Sequence, residues 1–322
     1  MIRQNFNADW TVEKGDGNSR MNSFLGNTQT KTVHLPYDAM IHEARTPDTK
    51  NGAQTGFYPG GEYIFQKHFT APQAWQGKPV SLVFEGVYQT ALVYLNGWLL
   101  TRNVNGYAEF TVEAGPYLKY GADNLLKVIA DNSLEPNSRW YTGSGIYRPV
   151  RLLVGNKVYL PQDTVRITTR EADEGFALLD VTAQVQSAST VTERVTLQQT
   201  ICREGTAVLT DRQNLLLQPG ESRTVSFRYC VDSPALWSPE NPNLYTSTMQ
   251  VLEGEEELDR EETGFGIRTL SIDAAHGVRI NGQTVKLRGA CIHHDNGILG
   301  AATLPDAEER RIRQLKEARS EE

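Results

Sequence analysis

Short apolar segments separated by turn residues run through most of this chain, and they constrain its fold more than any other feature. From about Glu62 to Val154 the segments are rich in Val, Leu, Tyr and Phe and are interrupted by Gly, Asn and Pro. That spacing predicts an antiparallel β-sandwich. In "ALVYLNGWLL" two apolar runs flank Asn96 and Gly97, which tolerate the positive φ of a type I′ turn. We therefore predict a two-residue hairpin there, with Trp98 beside it as a packing residue.

A second series of strand-like segments begins near Pro161 and predicts another sandwich. "VRITTR", "FALLDVTAQVQ", "RVTLQQTI" and the segments after them recur at the spacing of about 8–12 residues that is typical of seven-stranded, immunoglobulin-like sandwiches. Val225, Phe227 and Tyr229 alternate with polar residues, so we expect them on one buried face. The stretch "WSPENPNLY" is rich in Pro and is expected to be a loop that crosses from one sheet to the other.

The pattern changes after about Leu270. "GVRINGQTVKLRG" predicts a short turn followed by a strand from Val285 to Ala290. "AEERRIRQLKEARSEE" has high helix propensity, and Glu309 lies three residues after Asp306, which predicts a helix that begins with a capping box. A thin apolar stripe follows one side of this helix and consists of Ile312, Leu315 and Ala318. Strand, loop and helix together form one unit of an α/β fold.

Composition argues against several classes of function. The net charge of -7 and the pI of about 5.5 disfavour a nucleic-acid partner. No apolar run approaches the roughly 18 residues of a membrane-spanning helix, and "MIRQNFNADW" has no secretion signal, so we expect a cytoplasmic protein without a membrane partner. The three cysteines, Cys202, Cys230 and Cys291, lack CxxC spacing and are predicted to be free thiols.

A cluster of titratable residues follows the predicted strand 285–290. "VKLRGACIHHDNGILG" places His293, His294 and Asp295 in succession. Adjacent residues of an extended segment point to opposite faces, so only His293 and Asp295 can converge. Two ligands do not complete a zinc site, and we predict no metal there. His294 is expected to have a structural role.

Several stretches taken together resemble glycoside hydrolase family 2, most closely its bacterial β-galactosidases. They are "GFYPGGEYIFQKHF", "VYLNGWLL", "NSRWYTGSGIYRPVRL", "WSPENPNLY" and "KLRGACIHHDNGILGAA", and the match extends from "LPYDAMIHE" to "RRIRQLKEA". The resemblance implies a mainly β fold with three parts. These are a jelly-roll sugar-binding β-sandwich over 1–156, an immunoglobulin-like β-sandwich over 157–270, and the first strand and helix of a truncated (β/α)8 barrel over 271–322. The barrel would be incomplete because a whole one needs about 250 residues.

The resemblance also implies a retaining glycosidase with two carboxylates about 5–5.5 Å apart. Both are expected on later barrel strands, so we assign no catalytic residue within this chain and expect the 322 residues alone to be inactive. The parent enzyme is expected to hydrolyse terminal β-galactosides. A β-glucuronidase or β-mannosidase of the same family, a non-catalytic carbohydrate-binding module and a structural array of sandwiches remain open as alternatives.

The resemblance further implies the residues that contact substrate. His293 and Asp295 correspond to residues that line the sugar subsite, and Arg288 to an arginine near the nucleophile, although a strand-end ion pair is nearly as good an interpretation of Arg288. In "RWYTGSGIYRPV", Pro149 stands where some members have a sugar-binding acid. Within this stretch we select Trp140, Tyr141 and Arg148 as residues that shape the subsite or a domain interface.

Cofactors and partners follow from the resemblance alone. Magnesium or sodium serves some members, but no ligand for either can be assigned in this chain. A carbohydrate is the expected partner, and assembly into a homo-oligomer stays open.

Overall fold

The computed structural model describes residues 1–15, 30–134, 138–287 and 289–318. It divides the chain into two compact units. The first unit contains Ile2–Val154 together with Gly289–Glu322, and the second contains Met1 and Gly155–Arg288. The predicted third block, 271–322, therefore contributes residues to both units.

The first unit is the predicted antiparallel sandwich, built from a four-stranded and a six-stranded sheet. Its strands are β1 (Ile2–Asn5), β2 (Trp10–Lys14), β3 (Lys31–Val33), β4 (Gly61–Thr70), β5 (Val80–Phe84), β6 (Thr90–Leu95), β7 (Trp98–Asn103), β8 (Phe110–Glu113), β9 (Asp123–Asn132) and β10 (Val150–Val154). The sheet orders are β1-β10-β5-β8 and β3-β2-β4-β9-β6-β7. Both sheets contribute side chains to one apolar core that includes Trp10, Phe65 and Leu82.

The hairpin predicted at Asn96 and Gly97 is confirmed. Leu95 pairs with Trp98, and the two turn residues have φ values of 52° and 91°, as a type I′ turn requires. The prediction that Trp98 packs was wrong, because its side chain is 66% exposed. Its strand, β7, is the edge of the six-stranded sheet, and its ring lies 6.5 Å from that of Tyr117.

The second unit is a second antiparallel sandwich. Its main strands are β11 (Val158–Tyr159), β12 (Arg166–Ala172), β13 (Phe176–Ser187), β14 (Glu193–Arg203), β15 (Thr206–Leu217), β16 (Ser222–Asp232), β17 (Tyr245–Glu253) and β18 (Glu256–Phe265). One sheet joins β13 to β11, β12 and β16, and the other has the order β15-β14-β17-β18. Val225, Phe227 and Tyr229 are buried on β16 as predicted. "WSPENPNLY" connects β16 to β17, so the predicted crossing between sheets is confirmed.

A small sheet completes the second unit. It has the order β19-β20-β21, formed by β19 (Leu270–Asp273), β20 (Gly277–Ile280) and β21 (Gln283–Thr284). The strand predicted at Val285–Ala290 is not formed in the described part of that segment. A strand needs a neighbour to accept and donate its backbone hydrogen bonds. Among the described residues of the segment, only Val285 makes such a bond, to the carbonyl oxygen of Val278.

The helix α1 (Pro305–Glu317) belongs to the first unit and is the one α-helix of the described residues. Its N-cap is Leu304 and no side chain caps it, so the capping box predicted at Asp306 was wrong. Pro305 explains the earlier start, because the fixed φ of proline suits the first helical position. The predicted apolar stripe is not buried, and Ile312 is 54% exposed. Within the part of the chain that the structure describes, no helix has the length and apolar character needed to cross a membrane.

Candidate functional site

A cleft of about 360 Å³ opens in the first unit, between the loop that follows β9 and the segment that precedes α1. That volume falls within the range of about 300–1,000 Å³ that small-molecule sites occupy. Aromatic, cationic, hydroxyl and carboxylate groups share its wall. The lining includes Tyr107, Trp140, Arg148, His293, His294, Thr303 and Glu308.

The indole of Trp140 and the imidazole of His293 stack on each other in this cleft. Their ring centroids are 4.3 Å apart and their planes differ by 21°. The indole Nε1 of Trp140 is buried and has no hydrogen-bond acceptor among the described residues. A buried donor without a partner is costly, so a ligand oxygen that reached this atom would be stabilised.

His294 also lines the cleft, and its ring is held by partners other than those of His293. Its Nε2 donates a hydrogen bond of 2.7 Å to the backbone oxygen of Thr142. The rings of Tyr147 and Tyr107 lie 4.8 and 5.5 Å from its ring. Burial lowers the pKa of His294, against the weaker raising effect of the Thr142 bond. The neutral imidazole is therefore favoured, and the structural role of this residue stays a prediction.

Asp38 is a buried carboxylate that ties three segments of the first unit together. It is 1% exposed. Its Oδ1 accepts from the backbone N–H groups of Met40 and Ser144, both at 3.0 Å. Its Oδ2 accepts from the hydroxyl of Tyr141 at 2.6 Å and from the N–H of Ala301 at 2.8 Å. The carboxylate thereby joins both walls of the cleft.

Two glycines allow this close approach around Asp38. Gly143 and Gly300 have φ values of 65° and 61°, in the left-handed region that favours glycine. A Cβ on Gly143 would lie 2.7 Å from Asp38 Oδ2, and a Cβ on Gly300 would crowd the same oxygen and the Cβ of Ile41. A side chain at either position would collide with the Asp38 carboxylate, and at Gly143 also with the Cβ of Ala301.

Arg148 forms part of the cleft wall through contacts with its neighbours. Its NH1 donates to the backbone oxygen of Tyr107 at 3.1 Å, and its guanidinium lies 5.2 Å from the ring centre of Tyr147. Glu308, on α1, adds a carboxylate to the opposite wall. Among the described residues, the cleft lining therefore includes one arginine and one carboxylate.

The structure brings together three of the six substrate residues predicted from the sequence, namely Trp140, Arg148 and His293. Tyr141 lies beside the cleft and bonds to Asp38 instead of lining it. Burial and the Asp38 carboxylate raise the pKa of the Tyr141 hydroxyl, so it remains a donor. The side chain of Asp295 is exposed and outside the cleft lining, and Arg288 lies outside the described residues.

Sequence reasoning missed Asp38, Tyr107 and Glu308. The stretch "LPYDAMIHE" was part of the family resemblance, and the apolar residues around its acid were the available signal for Asp38. Tyr107 and Glu308 carried no such signal, because each reaches the cleft only through the packing of the loop after β7 and of α1.

In the described part of the chain, no three His, Cys, Asp or Glu side chains converge as ligands of a metal ion, so no residue is assigned to magnesium or sodium.

Two sequence profiles match the chain. One, described as glycosyl hydrolase 2 galactose-binding domain-like, covers residues 10–176, and the other, described as glycosyl hydrolases family 2, covers residues 158–268. A beta-galactosidase of Bacteroides ovatus is 35% identical over 98% of this chain and 37% of its own length. A putative beta-glucuronidase of Formosa agariphila is 31% identical over 94% of this chain and 28% of its own length.

Solved structures show the same likeness. The crystal structure of a glycosyl hydrolase family 2 member from Bacteroides cellulosilyticus superimposes with a TM-score of 0.91 at 32% identity, over 99% of this chain and 42% of that one. A beta-glucuronidase of Bacteroides uniformis gives a TM-score of 0.85 at 26% identity, over 98% of this chain and 38% of that one. The chain spans less than half the length of each of these relatives.

Proposed function

The chain belongs to glycosyl hydrolase family 2, and from this membership we propose that it is the amino-terminal portion of a retaining β-galactosidase-like enzyme. In this proposal the protein acts on terminal β-galactosides in carbohydrate metabolism. The first unit supplies part of the wall of a sugar subsite. The two catalytic carboxylates of the retaining mechanism come from later barrel strands, outside these 322 residues.

The observation that carries the proposal is the stacked Trp140–His293 pair on the wall of the cleft. An indole offers an apolar face to the C–H groups of a pyranose ring, and the imidazole can exchange hydrogen bonds with sugar hydroxyls. Glu308 and Thr303 supply further polar groups to the lining of the same cleft.

In the mechanism that we propose, these residues bind and orient the sugar, while the chemistry takes place between the two carboxylates. One carboxylate attacks the anomeric carbon and the other protonates the departing oxygen, then activates water. Trp140 and His293 would hold the terminal sugar so that its anomeric carbon faces the nucleophile. Such positioning is a large part of catalysis, because a correctly held reactant needs less ordering at the transition state.

A β-glucuronidase is the second candidate, and one observation favours it. The guanidinium of Arg148 lies on the cleft wall, and a guanidinium binds a carboxylate such as that of a uronic acid. The relatives named as beta-glucuronidases are consistent with this alternative. Pro149 stands where some family members have a sugar-binding acid, so that contact is not expected for either sugar.

Titration of the 322-residue chain with methyl β-galactoside and with methyl β-glucuronide tests the proposal. We expect saturable binding of the galactoside that is lost in His293→Ala. The matched control is His68→Ala, because His68 is an exposed histidine of the same unit that pairs with Asp123, and this variant should bind as the wild type does. Preference for the glucuronide would select the second candidate. Absence of binding by the wild type would refute the cleft as a sugar subsite.

Hydrolysis assays on a longer gene product that contains this chain separate an enzyme from a binding module. Turnover of nitrophenyl β-galactoside by the purified longer protein is the expected result. Galactoside binding without turnover of any glycoside would instead identify a non-catalytic carbohydrate-binding protein.

A further inference from the structure

Arg311, in the middle of α1, bonds to the backbone of the segment that carries the cleft histidines. Its NH1 donates to the carbonyl oxygen of His293 and its NH2 to that of Asp295, each at 2.7 Å. Glu308, one turn earlier on the helix, lies 3.4 Å from the same guanidinium. The side chain of Arg311 is 19% exposed, so most of it is removed from solvent.

Apolar packing does not explain how α1 is held against this segment. None of its residues is buried, and both Ile312 and Leu315 are substantially exposed. A helix of this length is marginal in water without tertiary contacts. The two bonds from Arg311 are therefore a principal connection between the helix and the wall of the cleft.

The position of these two bonds along the chain determines what they control. The carbonyl groups of His293 and Asp295 lie on either side of His294. When both are held, the backbone between them is restrained, which limits the directions in which the two imidazoles can point. His293 then faces Trp140 and His294 faces the backbone oxygen of Thr142.

We propose that Arg311 is a positioning residue, which holds the 293–295 backbone so that the Trp140–His293 stack forms. The stack alone is a weak constraint on the backbone, because a single aromatic contact contributes little beyond the area that it buries. As a statement about sugar binding the inference rests on the proposed function, but the stack can be measured without any sugar.

An arginine is needed at this position for a geometric reason. The planar fork of a guanidinium presents separate N–H groups to two acceptors at once, whereas the ammonium of lysine is a point donor on a flexible stem. Lysine would keep the charge beside Glu308 and lose one of the two carbonyl bonds. Arg311→Lys should therefore fail to restore the stack.

The experiment uses the indole N–H signals of the ¹⁵N-labelled 322-residue chain. The chain has five tryptophans, and Trp140→Phe identifies the signal of Trp140. His293→Ala gives the position of that signal when the stack is absent. We expect Arg311→Ala and Arg311→Lys to shift the Trp140 signal toward this reference position. The matched control, Arg313→Ala, removes an exposed arginine of the same helix that pairs with Glu309 and should leave the signal unchanged.

Trp10, which is fully buried in the core of the first unit, reports whether the sandwich is intact. An unchanged Trp10 signal with a shifted Trp140 signal supports the proposal. A Trp140 signal that does not shift in either Arg311 variant overturns the proposal. A Trp10 signal that shifts in both variants also overturns it, because Arg311 would then have a general structural role. Neither result depends on the sugar titration, so this inference and the proposed function fail separately.

Discussion

Replacement of Asp38 by asparagine should destabilise the first unit and free one wall of the cleft. The new side chain keeps the shape of aspartate, but an amide NH₂ must take the place of one carboxylate oxygen. The remaining oxygen can still accept from Met40 and Ser144, as Oδ1 does now. The NH₂ then faces the N–H of Ala301, which bonds to Oδ2 in the wild type. Two donors cannot satisfy each other.

The magnitude follows from the bonds that change. Hydrogen bonds to charged groups are worth about 1.5–3 kcal/mol each, against about 0.5–1.5 kcal/mol for neutral ones. Loss of the Ala301 bond, together with a weakening of about 1 kcal/mol in each of the three other bonds, gives a decrease of about 4.5–6 kcal/mol in the free energy of unfolding. The Tyr141 hydroxyl can rotate to accept from the NH₂, so its bond is weakened and not lost.

Urea unfolding and amide hydrogen exchange together measure this effect. Unfolding gives the change in free energy, and exchange should show lost protection at Ala301 with retained protection at Ser144. Asp123→Asn is the matched control, since the side chain of Asp123 is 62% exposed and pairs with His68, and it should cost less than about 1 kcal/mol. If Asp38→Asn behaved like this control, or if Ala301 stayed protected, the reasoning would be refuted.

Three further predictions concern pH and activity. Burial lowers the pKa of His294 below 6.5. The unfolded state therefore binds more protons than the folded state as the pH falls below 6.5, and the free energy of unfolding should decrease on acidification. In His294→Phe this pH dependence should be smaller, and an equal dependence in urea titrations would contradict the assignment. Hydrogen bonds from Arg228 and Arg170 lower the pKa of Asp180 from 3.8 to about 2. The stabilising contribution of Asp180 should therefore be present above pH 3.8 and be lost as the pH falls toward 2. Over that interval the urea midpoints of the wild type and of Asp180→Asn should converge. The 322-residue chain should hydrolyse no nitrophenyl glycoside, and reproducible turnover by protein freed of host galactosidase would contradict the proposed location of the catalytic carboxylates.

Local patterns in the sequence were sufficient to predict the two sandwiches. Strand periodicity, such as that of Val225, Phe227 and Tyr229, depends on the alternation of side chains along one segment. The hairpin at Asn96 and Gly97 depends on the φ values that those two residues tolerate. Both signals are contained in a few consecutive residues, and both predictions were confirmed.

Predictions failed where the outcome depended on a neighbour in space. The segment 285–290 has the composition of a strand, but a strand forms only beside a partner, and the described part of that segment has no paired strand. Trp98 is apolar enough for a core, yet it lies on the edge strand β7 and is exposed.

The start of α1 is a different case, because local chemistry decides it and the prediction still misplaced it. Asp306 and Glu309 have the spacing of a capping box. Pro305 directly precedes them, and its fixed φ suits the first helical position. The helix accordingly begins at Pro305, and Asp306 lies within its first turn instead of capping it.

The candidate site shows most clearly the division between sequence and tertiary structure. By itself the sequence determined that "RWYTGSGIYRPV" and "HHD" contain side chains suited to a sugar, because the identity of a residue sets its chemistry. Only the tertiary structure decided which of them meet. The hydrogen-bond partners of Asp38 include Tyr141, Ser144 and Ala301, which are separated from it by 103, 106 and 263 positions in the sequence. No local pattern encodes such partners, because the packing of the chain determines which donors and acceptors come within about 3 Å of each other.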